Sequence, residues 1–359
     1  APLLERLGVR CAQLTGSLRA KEKKCIHAQL AAGELDFVVG TQALIAKDVA
    51  FSSLGLVIAD EQHRFGVAQR SALSAKAENP HILVMSATPI PRTLALIIYG
   101  DLDVSVIDEL PPGRQKVDTF FVPNSYHSRV FQFIRKHVAQ GRQVYIVCPL
   151  VGGDTLLPNE KKAVTDYTAK LSTEIFPDLR IACVHGKMKA AEKEAVMAAF
   201  SAGETDILVS TTVVEVGVDV PNATIMVVEN AEQFGLSQLH QLRGRVGRGV
   251  HKSYCILFSD APGEDTKKRL RVMTETNDGF KIAQEDLELR GPGDFFGHRQ
   301  HGLPDLKVAD LHCDIELMHQ ARQAADNMLR TDPNLTHPEH QLLAQKIRQL
   351  FETTGDGLN

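Results

Sequence analysis

The sequence predicts an α/β protein with two parallel-sheet units in tandem followed by a mainly helical region. Three observations carry this. Short apolar runs alternate with amphipathic stretches, the pattern of parallel strands joined by helical crossovers. The alternation breaks at "DELPPGRQK" (residues 108–116), where two prolines and a glycine interrupt both periodicities, and then restarts. Beyond about residue 263 the strand signal fades and helical spacing remains.

In the first third, "VRCAQL", "DFVV", "LGLVIAD" and "HILVMSA" read as strands, and "AKEKKCIHAQLAAG" has helical spacing with Gly33 as its stop. After the break the strands are "VDTFFV", "QVYIVCP", "RIACVHG", "DILVST", "TIMVVEN" and "SYCILFS", separated by helical stretches such as "SRVFQFIRKHVAQG" and "AAEKEAVMAAFSAG". The polar segment 151–164, "VGGDTLLPNEKKAV", reads as a surface loop. "TKKRLRVMTET", "DIELMHQARQAADNML" and "HQLLAQKIRQLFET" read as helices, giving domains over 1–111, 112–262 and 263–359. The two halves share an alternating plan without an internal repeat of short period.

A chain of 359 residues exceeds what one hydrophobic core usually organises. Its 43% apolar and 23% charged residues exclude a disordered polymer. No apolar run reaches the roughly 20 residues needed to cross a bilayer, so a cytoplasmic protein without a membrane partner is expected. Six cysteines without a CxxC pair argue against a zinc ribbon or disulfide scaffold and are expected to be reduced, mostly core residues. A formal charge of −4 shows no basic excess, so any nucleic-acid site must be local.

The chemistry concentrates in three places. "IADEQHRFG" closes an apolar run with Asp60 and Glu61, at the strand end where ligands of open parallel sheets bind. Phosphoryl transfer uses such a pair, one acid to orient Mg²⁺ and a second to polarise water; a helix cap or solvated turn is the plainer alternative. "SATPIPRTL" places Ser86 and Thr88 at the next strand end, able to sense phosphate or, for Thr88, to cap a helix. "QLHQLRGRVGRG" carries Arg243, Arg245 and Arg248 among three glycines. Guanidinium groups bind phosphate bidentately and glycines admit close backbone approach.

These stretches, with "ILVSTTVVEVGVDVPNA", resemble helicase motifs II, III, V and VI of superfamily 2. In detail they resemble the RecG family of branch-migration helicases, and "DLELRGPGDFFGHRQHGLPDLKVADL" is similar to the TRG element that this family shares with Mfd. The resemblance implies two RecA-like domains, the cofactors ATP and Mg²⁺, and a monomer acting on branched double-stranded DNA. It implies Asp60 for Mg²⁺, Glu61 for water, and Gln62 with His63 for coupling; both acids are candidate metal residues. Ser86 and Thr88 would link the ATP and DNA sites. Gly217 and Asp219 would face nucleotide, while Gln241, Arg245 and the more finger-like Arg248 would close over the γ-phosphate. DNA candidates are Thr15, Gly16, Ser17, Gly40 and Thr41, then His185, Gly186, Lys187 and Thr211, with Arg290, Arg299 and Gln300 in the TRG-like stretch. The basic cluster Lys267 to Arg271 reads as an exposed helix face and stays unassigned.

The family grips triphosphate with a G-x-x-x-x-G-K-[ST] loop, and this sequence contains none. In family order that loop and the DNA-reading wedge domain precede these motifs, so the chain resembles the C-terminal portion of a RecG cut inside its first motor domain. Two other readings stand beside the motor: a nucleotide-independent DNA-binding or interaction module, and an Mfd-like transcription-repair translocase. A metal hydrolase built on Asp60, Glu61 and His63 lacks support, because adjacent strand residues point to opposite faces. Without the loop's lysine and amides, the chain by itself is expected to show no DNA-stimulated ATP hydrolysis. Phosphate release that Glu61→Gln abolishes would contradict this.

Overall fold

The computed structural model describes residues 4, 6–16, 18–60, 76–77, 80–86, 103–111, 113–149, 159–211, 219–290 and 315–354. Its contacts divide into two units, Ala1–Thr88 and Pro89–Asn359.

In the first unit β1 (Cys11–Leu14) runs parallel to β2 (Phe37–Gly40), and β3 (Leu56–Ala59) runs parallel to β4 (His81–Val84). Parallel neighbours need a crossover, and α1 (Ala20–Ala32) supplies it between β1 and β2. The Glu22 carboxylate accepts from the Arg19 amide at 3.0 Å at its start. Gly33 ends it at φ 72°, the stop its sequence position predicts. Leu14, Leu30 and Val49 form the buried core of this unit.

The second unit holds a parallel six-stranded sheet. Its strands are β5 (Val117–Val122), β6 (Gln143–Val147), β7 (Ile181–Val184), β8 (Ile207–Ser210), β9 (Ala223–Val228) and β10 (Ser253–Phe258), in the order β5-β10-β9-β6-β8-β7. All six predicted strands are present. Successive strand residues point to opposite faces, and both faces are buried. Val144, Ile146, Ile207, Val209, Ile225 and Val227 pack under α2 (His127–Val138) and α3 (Asn159–Lys170) with Val130, Ile134 and Val164. Tyr145, Val147, Leu208, Met226 and Leu257 pack on the other side against α4 (Ala190–Ser201), α5 (Leu236–Arg243) and α6 (Glu264–Glu275), meeting Met197, Phe200, Leu239 and Met273. Burial on both sides is why these strands read as unbroken apolar runs.

Three expectations need correction. The predicted loop 151–164 is α-helical from Asn159, because Glu, Lys and Ala are strong helix formers; this helix continues as a π-helical turn, Leu171–Ile175. A further helix, α7 (Gly279–Arg290), begins ahead of the TRG-like stretch and buries Ile282. Of the described cysteines only Cys255 is buried, Cys25 is exposed and the others lie between. The predicted C-terminal helices are α8 (Ile315–Thr331) and α9 (Gln341–Thr354). Buried Asp332 joins them by accepting from the Thr336 and His337 amides and from the His340 ring. Among the described residues no helix is long and apolar enough to cross a membrane.

A polar network ties the carboxyl ends of β6 and β9 to α2 and α3. The Glu229 carboxylate accepts from Tyr167 at 2.7 Å and from His127 Nε2 at 3.0 Å. The His127 ring stacks on Phe258 at 4.0 Å. The hydrogen bond to Glu229 raises the His127 pKa against the opposing effect of burial, with Asp260 adding a smaller favourable charge. A histidine whose folded pKa lies above its unfolded value stabilises fully below about pH 6.5 and loses that contribution as pH rises through the folded value. Thermal denaturation is therefore expected to show stability falling as pH rises above about 6.5, with a flatter profile in His127→Gln; equal pH dependence in the two proteins would contradict it.

Candidate functional site

In the first unit the register pairs Ala59 with Val84, and the Met85 amide donates to the Ala59 carbonyl at 2.8 Å. Asp60 and Ser86 therefore leave the carboxyl ends of two adjacent parallel strands, and both are exposed. A carboxylate there is a hard oxygen donor suited to Mg²⁺. Among the described residues no cluster of three His, Cys, Asp or Glu forms a ready-made metal cage.

The same geometry recurs in the sites expected to meet DNA. Leu14 pairs with Gly40, so Thr15 and Gly16 follow β1 where Thr41 follows β2. Val184 pairs with Ser210, so His185, Gly186 and Lys187 follow β7 where Thr211 follows β8. Gly40 has no room for a Cβ, which would collide with the Leu14 carbonyl. The Ser210 and Thr211 hydroxyls are buried with no hydrogen-bond partner among the described residues.

The three arginines of "RGRVGR" have different environments. Arg243 is 3% exposed and donates to the Met273 and Thr276 carbonyls and to His240 Nδ1. Guanidinium only donates, so His240 accepts through Nδ1 as a neutral ring. Its pKa, pushed down to about 4 by burial and then by Arg243, agrees. Arg243 thus holds α5 to the end of α6. Arg245 is half-buried, and both it and Arg248 lower the pKa of buried Tyr145, which burial nevertheless pushes up to about 12. Arg248 lies at the surface, where Nε donates to the Gly244 carbonyl at 3.1 Å and Nη1 faces Asp219 at 3.5 Å. Gln241 is half-buried in the last turn of α5.

Sequence reading missed Arg114, which it passed over as part of the linker. Arg114 Nη2 donates to the same Gly244 carbonyl at 3.1 Å. Its pKa is lowered by burial and then by Arg248, with Asp219 opposing. Two guanidinium groups therefore converge on one peptide oxygen beside one carboxylate. The "PPGR" sequence announces a turn followed by a cation, and nothing in it reveals the partner 130 positions away. Close packing completes the site: a Cβ at Gly247, where φ is 78°, would lie 2.8 Å from Val117 Cγ2, and one at Gly249 would strike the Pro221 carbonyl.

Glu61, Gln62, His63, Thr88, Gly217, Ser17, Arg299 and Gln300 lie outside the described residues. Arg290 ends α7, and its side chain is also outside them.

Residues 2–97 match the DEAD/DEAH box helicase family and 128–250 the helicase conserved C-terminal domain. Residues 276–356 match the C-terminal part of domain 3 of the ATP-dependent DNA helicase RecG. The fold similarity is broad: the helicase MrfA bound to DNA and AMPPNP matches with a TM-score of 0.56 at 14% identity over 80% of this chain and 44% of its own, which shows the fold alone. The class so defined is the helicases, with parallel-sheet RecA-like α/β domains followed by a helical region.

Within that class the relatives are specific. The ATP-dependent DNA helicase RecG of a Synechocystis species is 53% identical over 340 residues, 94% of this chain and 41% of its own length. That of Bacillus subtilis is 49% identical over 358 residues, 99% of this chain and 52% of its own. A solved RecG bound to a three-way DNA junction matches at 48% identity with a TM-score of 0.67, over 88% of this chain and 41% of that one. The chain belongs to the RecG family, and it spans about half the length of the curated relatives it matches.

Gly247→Ala is expected to destabilise the second unit by about 1–3 kcal/mol, since it combines a left-handed backbone with a steric clash. Urea denaturation measures the loss, and an unchanged midpoint would show that the arginine loop is not held by this contact.

Proposed function

We propose that the chain is the motor portion of an ATP-dependent double-stranded DNA translocase that remodels branched DNA, stalled forks and Holliday junctions in recombination and repair. It would work in the cytoplasm as a monomer, with functional domains over 1–111, 112–262 and 263–359. The observation that carries this reading is near-50% identity to RecG helicases along almost the entire chain, together with a RecG relative whose structure holds a three-way junction.

The geometry of the described residues and, for the others, the resemblance to RecG support roles for individual residues. Asp60, with Glu61 beside it in sequence, would hold Mg²⁺, which supplies charge neutralisation on the nucleotide phosphates. Gln62 and His63 would couple that site to DNA, with Ser86 and Thr88 at the neighbouring strand end. Gly217, Asp219 and Gln241 would face nucleotide. Arg245 and Arg248 would supply the guanidinium charge that stabilises a transferring phosphoryl group. The contacts of Arg248 suit that role, because a peptide oxygen and a carboxylate 3.5 Å away form a loose set that a phosphate can displace. Thr15, Gly16, Ser17, Gly40, Thr41, His185, Gly186, Lys187 and Thr211 would hold the DNA backbone at strand ends. Arg290, Arg299 and Gln300 would connect the second domain to DNA through the TRG-like element.

In the full-length protein, Arg248→Ala is expected to lower DNA-stimulated ATP turnover by about 10³-fold or more, with affinity for a three-way junction retained. Turnover near that of the unchanged protein would remove Arg248 from the phosphate site. Equal affinity for junction and single strand in fluorescence anisotropy would count against branched DNA as the substrate.

A further inference from the structure

Segments 10–41 and 180–211 resemble one another at a constant offset, each residue of the second numbered 170 above its counterpart, as Arg180 is above Arg10. Gly16 and Gly186, Glu22 and Glu192, Lys23 and Lys193, Gly33 and Gly203, Asp36 and Asp206, and Thr41 and Thr211 correspond. The bonds repeat as well. Arg10 binds the Asp36 carboxylate and the Gly33 carbonyl, and Arg180 binds the Asp206 carboxylate and the Gly203 carbonyl. Glu22 accepts from the Arg19 amide and Glu192 from the Lys189 amide. The Thr41 amide donates to the Leu14 carbonyl and the Thr211 amide to the Val184 carbonyl, each at 3.3 Å.

One of these paired bonds reaches the turns at the strand ends. Lys23 Nζ donates to the Gly16 carbonyl at 2.7 Å, and Lys193 Nζ donates to the Gly186 carbonyl at 2.9 Å. Both lysines are half-buried on the first turns of their helices. Holding a long side chain on one acceptor costs rotamer freedom, and a solvated lysine has no need of it. The residues that flank the two glycines differ, Thr15 against His185 and Leu18 against Met188, while the lysine-to-carbonyl bond is the same. What the two copies keep is the tie from a helix lysine to the glycine carbonyl, independent of the side chains that the turn carries. In a trans peptide the C=O and the following N–H point in opposite directions. With the Gly186 oxygen turned toward Lys193, the Lys187 amide faces away from α4.

We propose that Lys23 and Lys193 are a matched pair of positioning residues, each pinning the glycine carbonyl of a strand-end turn so that the turn meets DNA phosphates, one grip in each unit. This rests on the DNA-binding reading given under Proposed function. Positioning through the backbone fits a translocase, because amide contacts to phosphate carry no sequence information.

The test uses the 359-residue chain, a fluorescent duplex oligonucleotide and a salt series. Lys23→Met and Lys193→Met are each expected to weaken binding about three- to tenfold at every salt concentration. The slope of log affinity against log salt should stay unchanged, and Lys→Arg, which can still donate to the carbonyl, should restore binding. A slope smaller by about one per substitution would make the lysines direct phosphate contacts, and that result, or unchanged affinity, overturns the positioning role. Amide exchange in the DNA-free chain gives an independent readout. Lys193→Met should speed exchange at Met188, whose amide donates to the His185 carbonyl at 3.2 Å, while leaving the Asp206 amide protected by its bond to the Arg180 carbonyl; unchanged exchange at Met188 also overturns the proposal. If the unsubstituted chain fails to bind duplex at low salt, the DNA reading falls, and the exchange result decides separately whether the lysines pin the turns.

Discussion

Burial of the six-stranded sheet on both faces is the constraint from which the rest of the second unit follows. Parallel strands connected by crossovers place helices over each face, and a polar side chain on either face would have to be desolvated. Gln143 shows what that demands: buried at 4% exposure, its amide nitrogen donates to the Phe200 and Thr205 carbonyls. Chemistry is displaced to the strand ends, where backbone groups leave the ladder and solvent can reach. His185, Thr211 and Glu229 follow the carboxyl ends of β7, β8 and β9, while Asp219 lies ahead of β9 and the arginine loop ahead of β10.

Within the arginine loop one residue type serves different ends according to burial. Arg243 is enclosed and directs its donors to carbonyls at the end of α6, so it is part of the frame. Arg248 is near the surface, bonded to the Gly244 carbonyl at 3.1 Å with Asp219 at 3.5 Å. Arg114 reaches the same loop from the segment before β5, and Gly247 and Gly249 let the backbone lie against Gln115, Val117 and Pro221. The loop is thus held from both sides by chain segments remote in sequence, with the Arg248 guanidinium outermost.

The repeated segment shows the same division between frame and function. Its ion pair Arg10–Asp36 is exposed on both sides and adds little stability by itself, while in Arg180–Asp206 the carboxylate is mostly buried. Their recurrence with the same carbonyl partners identifies them as fixing where helix and strand meet. The carboxyl end of the unit varies in side chains while its backbone bonds persist.

The strands and most helices were legible because two-sided burial and helical amphipathicity leave a local trace. Every strand from Cys11 to Phe258 coincides with an apolar run, and Gly33 marks a helix stop by a property of glycine alone. The acid pair and the arginine-glycine loop could also be named, since phosphate chemistry restricts residue type. The repeat could have been found by comparing the halves at long offset, as Arg10, Gly16, Glu22, Lys23, Gly33 and Asp36 recur in order, but a search for short periods passes over it. Which arginine is enclosed, which carbonyl Arg114 meets and which oxygen each lysine pins were decided only by tertiary structure, because hydrogen bonds between residues tens or hundreds of positions apart depend on how packed layers bring their ends together, and no local pattern encodes that distance.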